Sequence, residues 1–291
     1  MQKENYQLYR EEIKKILASC EPSDYNDAQF DKFKEFMDDR WSTDSIKLYR
    51  YSPADYFNIR NFETGKLKLT DTGVLNDVYE GIPCNVCGTI DQNIADKLKD
   101  IAKIKSFSET PEDVRLWGYY AKDHTGICVE YDLSELDLND SVWNHIFPVA
   151  YSSRRLVKTN VSEMIDELKE LRKDIKEESV HNYYGYLEDI LPIFIMKSDK
   201  WKYEREWRII YTLLQIYEED DENLYNGIIS FDCATAIYLG CRIDKEIEKN
   251  ICEIVERINN VRISKNRTAV SVYKMSLAKE SYDLVATKIN N

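Results

Sequence analysis

Period-two alternation is the strongest constraint on this chain, and it is clearest in Lys197–Tyr211, KSDKWKYEREWRIIY. In a strand, successive side chains point to opposite faces. A strand over Glu204–Tyr211 puts Arg205, Trp207, Ile209 and Tyr211 on one face and Glu204, Glu206 and Arg208 on the other. The first face is mostly apolar and suits a core. The second sets two carboxylates and a guanidinium in a row. It reads either as a solvated face, with Glu and Arg offsetting each other, or as a catalytic edge that holds out Glu-x-Glu. Charged faces are commonly just solvated, so the residues alone favour the first reading.

The 291 residues suit one large domain or a domain with a helical appendage, and 43% hydrophobic content supports a substantial core. A formal net charge of −13 argues against broad attraction to nucleic acid or an anionic membrane. Local basic clusters remain, at Lys197–Arg208 and at Arg154, Arg155 and Lys158. No apolar run is long enough to span a bilayer, and the polar N-terminus does not read as a signal peptide; the expectation is a cytoplasmic protein. The seven scattered Cys read as reduced thiols.

Along the chain, residues 1–45 read as an N-terminal helical extension. Its second helix repeats Phe30, Phe33 and Phe36, a face for a core or a protein partner. Residues 46–291 read as an α+β domain. Strands are expected at Ile46–Tyr51, Lys66–Leu69, Ala102–Ser108, Ile127–Tyr131, Phe147–Tyr151, Gly227–Phe231, Ala236–Leu239 and Ala269–Tyr273. Ser52-Pro53 suits a helix start, with Ser as cap. Glu112–Asp123 and Asp244–Arg257 read as helices. His124-Thr-Gly126 ends the first of these, with His124 either capping it or donating to a substrate. A charged helical insertion falls at about 160–195, and the acidic run Glu218–Glu222 reads as a surface loop. Helices first, then strands broken by helices of varied length, give an α+β fold with mixed, mostly antiparallel sheets and flanking helices.

Several signatures are missing. No Gly-rich phosphate loop follows a strand, and no Gly-x-Ser-x-Gly elbow occurs. Pro83-Cys84-Asn85-Val86-Cys87 matches half of a zinc deaminase signature, but His124, His145 and His181 all come later and none is followed two residues on by Glu. No metal is expected. A carboxylate-cluster nuclease could draw on Asp77, Glu80 and Glu130, whose spacing is uninformative.

Five segments together resemble a bacterial family known as domain of unknown function 2971. They are Leu48–Tyr51, Leu75–Gly81, Ser106–Asp132, Trp201–Tyr211 and Ile237–Ile243. The chain also resembles ADP-ribosyltransferases of the Arg–Ser–Glu type. These carry an Arg on an early strand, a Ser-x-Ser on a middle strand and a Glu-x-Glu on a later one. Here the order is Arg50, then Ser106-Phe107-Ser108, then Glu204-Arg205-Glu206.

That second resemblance implies an enzyme that cleaves NAD and transfers ADP-ribose to a protein or nucleic-acid acceptor, in the manner of a bacterial toxin or antiphage effector. NAD would be a substrate. Glu206 would hold the ribose 2′-hydroxyl and stabilise an oxocarbenium-like centre. Arg50 would pair with the pyrophosphate, Ser106 would support the ribose or the glutamate by hydrogen bonding, and Ser108 would also contact the NAD. Glu204 would orient or deprotonate the acceptor. Trp117 and Tyr120 would wall the nicotinamide, with His124 nearby; an equal alternative is that they pack a helix on the sheet. The rival reading is a non-catalytic module that binds a ligand or partner, with the Trp201–Arg208 segment a structural strand held by internal ion pairs.

Overall fold

A computed structural model describes residues 46–72, 75–77, 79–80, 97, 101–137, 140–153, 165–166, 191–212 and 222–289. The expected N-terminal helical extension, the Cys-x-x-Cys segment and most of the expected charged insertion lie outside the described residues. The chain forms two compact units. One contains Leu69–Ser106 and Asn139–Ile228; the other contains Ser42–Lys68, Phe107–Leu138 and Ile229–Asn291. Both are α+β, with mostly antiparallel pairing and flanking helices.

In chain order the strands are β1 Lys47–Ser52, β2 Lys66–Lys68, β3 Thr70–Asp71, β4 Ala102–Ser108, β5 Ile127–Asp132, β6 Ile146–Pro148 and β7 Ala150–Ser152. They continue as β8 Met196–Ser198, β9 Glu206–Thr212, β10 Ile228–Ser230, β11 Ala234–Leu239, β12 Ser271–Leu277 and β13 Leu284–Lys288. The helices include α1 Tyr56–Thr64, α2 Val114–Tyr120, α3 Glu222–Tyr225 and α4 Lys245–Ser264.

The unit that includes β1 is built on β5. This strand pairs antiparallel with β1 on one side, Tyr49 opposite Glu130, and with β11 on the other. β11 runs parallel to β12, with α4 as the connection, and β13 returns antiparallel to β12. A parallel pair needs such a crossover. Alternation gives the sheet two unlike faces. Leu48, Arg50, Val129, Ile237, Val272 and Lys274 share the face that α4 covers. There α4 buries Ile251, Ile254 and Val255, and Lys274 reaches Glu248 at 2.5 Å. Asp244 caps α4 by accepting from Glu246 N and Ile247 N, and two Glu in its first turn suit the helix dipole. The opposite face carries Tyr49, Tyr51, Glu130, Tyr238 and Tyr273. Helix α2 seals one end of it, with Tyr51 edge-on to Trp117 at 5.3 Å.

In the other unit, β4 pairs with β3 and neighbours β9, which pairs antiparallel with β6; β7 and β8 pair in parallel. All seven residues of β9 are buried. The expected charged face of this strand is therefore not solvated.

Several boundaries differ from the sequence reading. Ser52 ends β1, and Asp55 caps α1 in its place because its carboxylate accepts from Asn58 N at 2.9 Å. The expected strand Phe147–Tyr151 is two short strands divided at Val149. Glu204 ends a 3-10 helix, Asp199–Glu204, and Arg205 turns left-handed (φ 46°) before β9 begins at Glu206. The sequence reading ends its strands at Tyr273 and does not include the final hairpin partner β13. Helix α2 stops because Lys122, Asp123 and His124 are all left-handed, which L side chains rarely adopt. The turn is clamped from outside: Arg242 N donates to His124 O at 3.0 Å, and Gly240 lies directly against that carbonyl.

A Cβ on Gly240 would sit 2.1 Å from His124 O. Gly240→Ala is expected to cost at least about 1–3 kcal/mol, read as a lower urea midpoint. Gly118→Ala, whose new methyl would meet nothing closer than His124 Nε2 at 4.0 Å, is the control. It is expected to be neutral or to stabilise α2 by up to about 1 kcal/mol.

Candidate functional site

Glu-x-Glu forms the centre of a buried ion network. Arg208 binds Glu206 through two nitrogens, Nε to Oε1 at 2.8 Å and Nη2 to Oε2 at 3.0 Å. They stand two apart on one strand, so both project to the same side of β9. Arg208 also donates to Phe194 O at 2.5 Å and to Glu80, which the turn after Asp77 delivers. Lys197, on β8, donates to Glu206 at 2.9 Å and to Glu204 at 2.6 Å, with Glu80 at 3.6 Å. Its ammonium also lies 5.1 Å from the Trp201 ring centre. Tyr151 stands beside Lys197 in the parallel β7–β8 pair, and its hydroxyl accepts from Glu206 N at 2.8 Å. The left-handed Arg205 lets Glu204, though off the strand, meet the same ammonium as Glu206.

The charges hold one another in the ionised state. Burial is the largest influence on Glu206 and opposes its charge, but Arg208 and Lys197 outweigh it and keep the carboxyl well below the usual range. Burial likewise works against the charge on Lys197, and the carboxylates of Glu206, Glu80 and Glu204 overcome it, raising its pKa. Glu206 is 3% exposed. Glu206 and Arg208 offset each other as the sequence suggests, but inside the protein rather than on a solvated face. Among the described residues, no group of three or more His, Cys, Asp or Glu is arranged to hold a metal ion.

Ser106 lies on β4, the sheet neighbour of the strand that carries Glu206. Ser108, two residues on, pairs with Tyr49 of β1 and so shares its face. Arg50 is the next residue on β1 and points to the opposite face, the one under α4. The sheet does not bring Arg50 and Ser108 together on one side. Trp117 is fully buried, with its indole N–H donating to Pro111 O at 2.7 Å, so it packs α2 on the sheet. Tyr120 is half-buried at the end of the same helix. His124 does not cap α2 through Nδ1, which is buried without a hydrogen-bond partner among the described residues. Burial and then the Arg242 guanidinium hold the imidazole below its ordinary pKa, against the pull of Asp123.

A second carboxylate, Glu130, forms a separate node in the unit that includes β1. Its Oε2 accepts from the hydroxyls of Tyr49 at 3.1 Å and Tyr238 at 2.9 Å. Its Oε1 accepts from Lys47 Nζ at 2.8 Å and Thr235 Oγ1 at 2.9 Å. Burial opposes ionisation here too, but the bonds from Lys47, Thr235 and Tyr238 outweigh it and lower the pKa. The sequence held a signal for this node that its spacing to Asp77 and Glu80 hid. A lone Glu inside the apolar strand Ile-Cys-Val-Glu-Tyr must find donors on neighbouring strands.

Residues 116–209 match the model of a family described as a protein of unknown function, DUF2971. The match covers Glu130, Lys197, Glu204, Glu206 and Arg208. No curated protein and no solved structure matches the chain.

Glu206→Gln and Arg208→Met are each expected to cost about 3–5 kcal/mol, because each takes one partner from buried charges that the remaining partners only partly offset. In a double-mutant cycle by urea denaturation, the combined variant should fall short of the sum by about 0.5–3 kcal/mol. A pH series separates the second node. Because folding depresses the Glu130 pKa, its contribution is full above the unfolded value of about 4.3 and is lost as pH falls through the lower folded value. The stability gap between wild type and Glu130→Gln is thus expected to be constant near neutrality and to narrow below about pH 4.

Proposed function

We propose that this chain is a non-catalytic binding module that recognises a ligand or partner, with the Glu80–Arg208 network as its internal brace. One observation carries the reading: both oxygens of Glu206 are committed to Arg208, one of them also to Lys197, at 3% exposure. A glutamate that acts in ADP-ribosyl transfer must reach a ribose hydroxyl and a developing positive charge. Turning Glu206 toward a sugar would take one carboxylate partner from each of two buried cations, a cost of several kcal/mol.

The ADP-ribosyltransferase-like reading, with NAD as donor and a protein or nucleic-acid acceptor as a toxin or antiphage effector would use, keeps two observations in its favour. The strand of Ser106 neighbours the strand of Glu206, and Glu206 is held in the ionised form that such chemistry uses. Incubation of the full chain with labelled NAD and candidate acceptors decides between the two. Nicotinamide release and label transfer at background level, equal for wild type and Glu206→Gln, are expected. Release above background that disappears in folded Glu206→Gln would overturn the binding-module reading.

A further inference from the structure

We propose that Glu130 and the rings of Tyr49, Tyr238 and Tyr273 form a receptor for an ammonium or guanidinium group, with the Lys47 ammonium as its built-in competitor. The inference deepens the binding-module reading and rests on it, but it uses none of the residues of the Glu206 network.

The two oxygens of Glu130 differ. Oε2 is fixed inward by the phenols of Tyr49 and Tyr238, both buried. Oε1 is held on the other side by Thr235, which is half-buried, and by Lys47, whose side chain is 44% exposed. A lysine on a flexible four-carbon stem that reaches water at that level is easily exchanged. When Lys47 swings away, a largely buried carboxylate is left without a cation, and a second cation is drawn to it.

The surroundings suit a cation. Tyr238 stacks on Tyr273 with centroids 4.9 Å apart and planes 13° apart, and Tyr49 stands edge-on to Tyr238 at 6.0 Å. Both phenols nearest the carboxylate already donate to it and are buried, so the ring surface beside the negative charge is that of the half-buried Tyr273. Aromatic faces beside a carboxylate attract ammonium and guanidinium groups. An anion would meet Glu130 and a chain of net charge −13.

The test is calorimetric titration of the full chain with spermidine and with argininamide at low ionic strength. Saturable one-to-one binding of at least one probe is expected. Lys47→Met should tighten it about five-fold or more by removing the competitor. Lys274→Met removes the same charge from the opposite face, where Lys274 pairs with Glu248, and should leave the affinity unchanged. Tyr273→Ala should weaken binding, and Glu130→Gln should abolish it. Equal tightening by Lys47→Met and Lys274→Met would mean diffuse attraction to an acidic chain and would overturn the proposal. So would unchanged binding in Glu130→Gln or, if that variant does not fold, in Tyr273→Ala. Absence of binding together with absence of NAD turnover would reject this site and leave the broader binding-module reading standing.

Discussion

The pairing of Glu206 with Arg208 is the interaction on which the architecture of its unit depends. Removing two ions from water is costly, and the cost is met only when every partner is in place. Here the partners come from separate segments: the turn at Glu80, β8 with Lys197, the 3-10 turn ending at Glu204, and β9 itself. A shift in any of these would strip a charge of its neighbour. The network therefore specifies where a polar turn and a short strand must sit, which apolar burial alone would leave loosely defined. It also explains why β9 tolerates burial on both faces despite carrying Glu and Arg.

The other unit solves a different problem. Its sheet has one apolar face, which α4 covers, and one face of tyrosines around a carboxylate. A tyrosine satisfies both demands of such a face, since its ring packs while its hydroxyl donates. The abundance of Tyr, 21 in this chain, thus has a structural outlet in the cross-strand set Tyr49, Tyr238 and Tyr273.

Much of the fold was legible from residue order. Ala102–Ser108 matches β4 at both ends, and β5 differs from its expected span by one residue. These strands combine clear alternation or apolar content with sharp boundaries. Glu204 was misplaced because alternation cannot reveal a left-handed residue such as Arg205, which breaks the strand pattern just before Glu206. The cap at Asp55 was missed because Ser52-Pro53 offers the same local chemistry three residues earlier, and only pairing of Ser52 with Ile127 removes it from contention. The pairing of Glu206 with Arg208 could be named in advance. Its burial could not, because that depends on Lys197 and Glu80, brought in from β8 and from a turn 128 positions before Arg208.

The same contrast separates the two carboxylates as candidates for function. Glu206 and Glu130 are both almost wholly removed from solvent and both held ionised. What differs is the cation. The partners of Glu206 have side chains only 4% and 1% exposed, so neither can exchange its carboxylate for water. The cation on Glu130 has a side chain 44% exposed and can return to water. A carboxylate locked to buried cations acts as a brace. One held by an exposed, flexible cation on one oxygen and by rigid phenols on the other has an exchangeable partner, which is the physical requirement for binding something else.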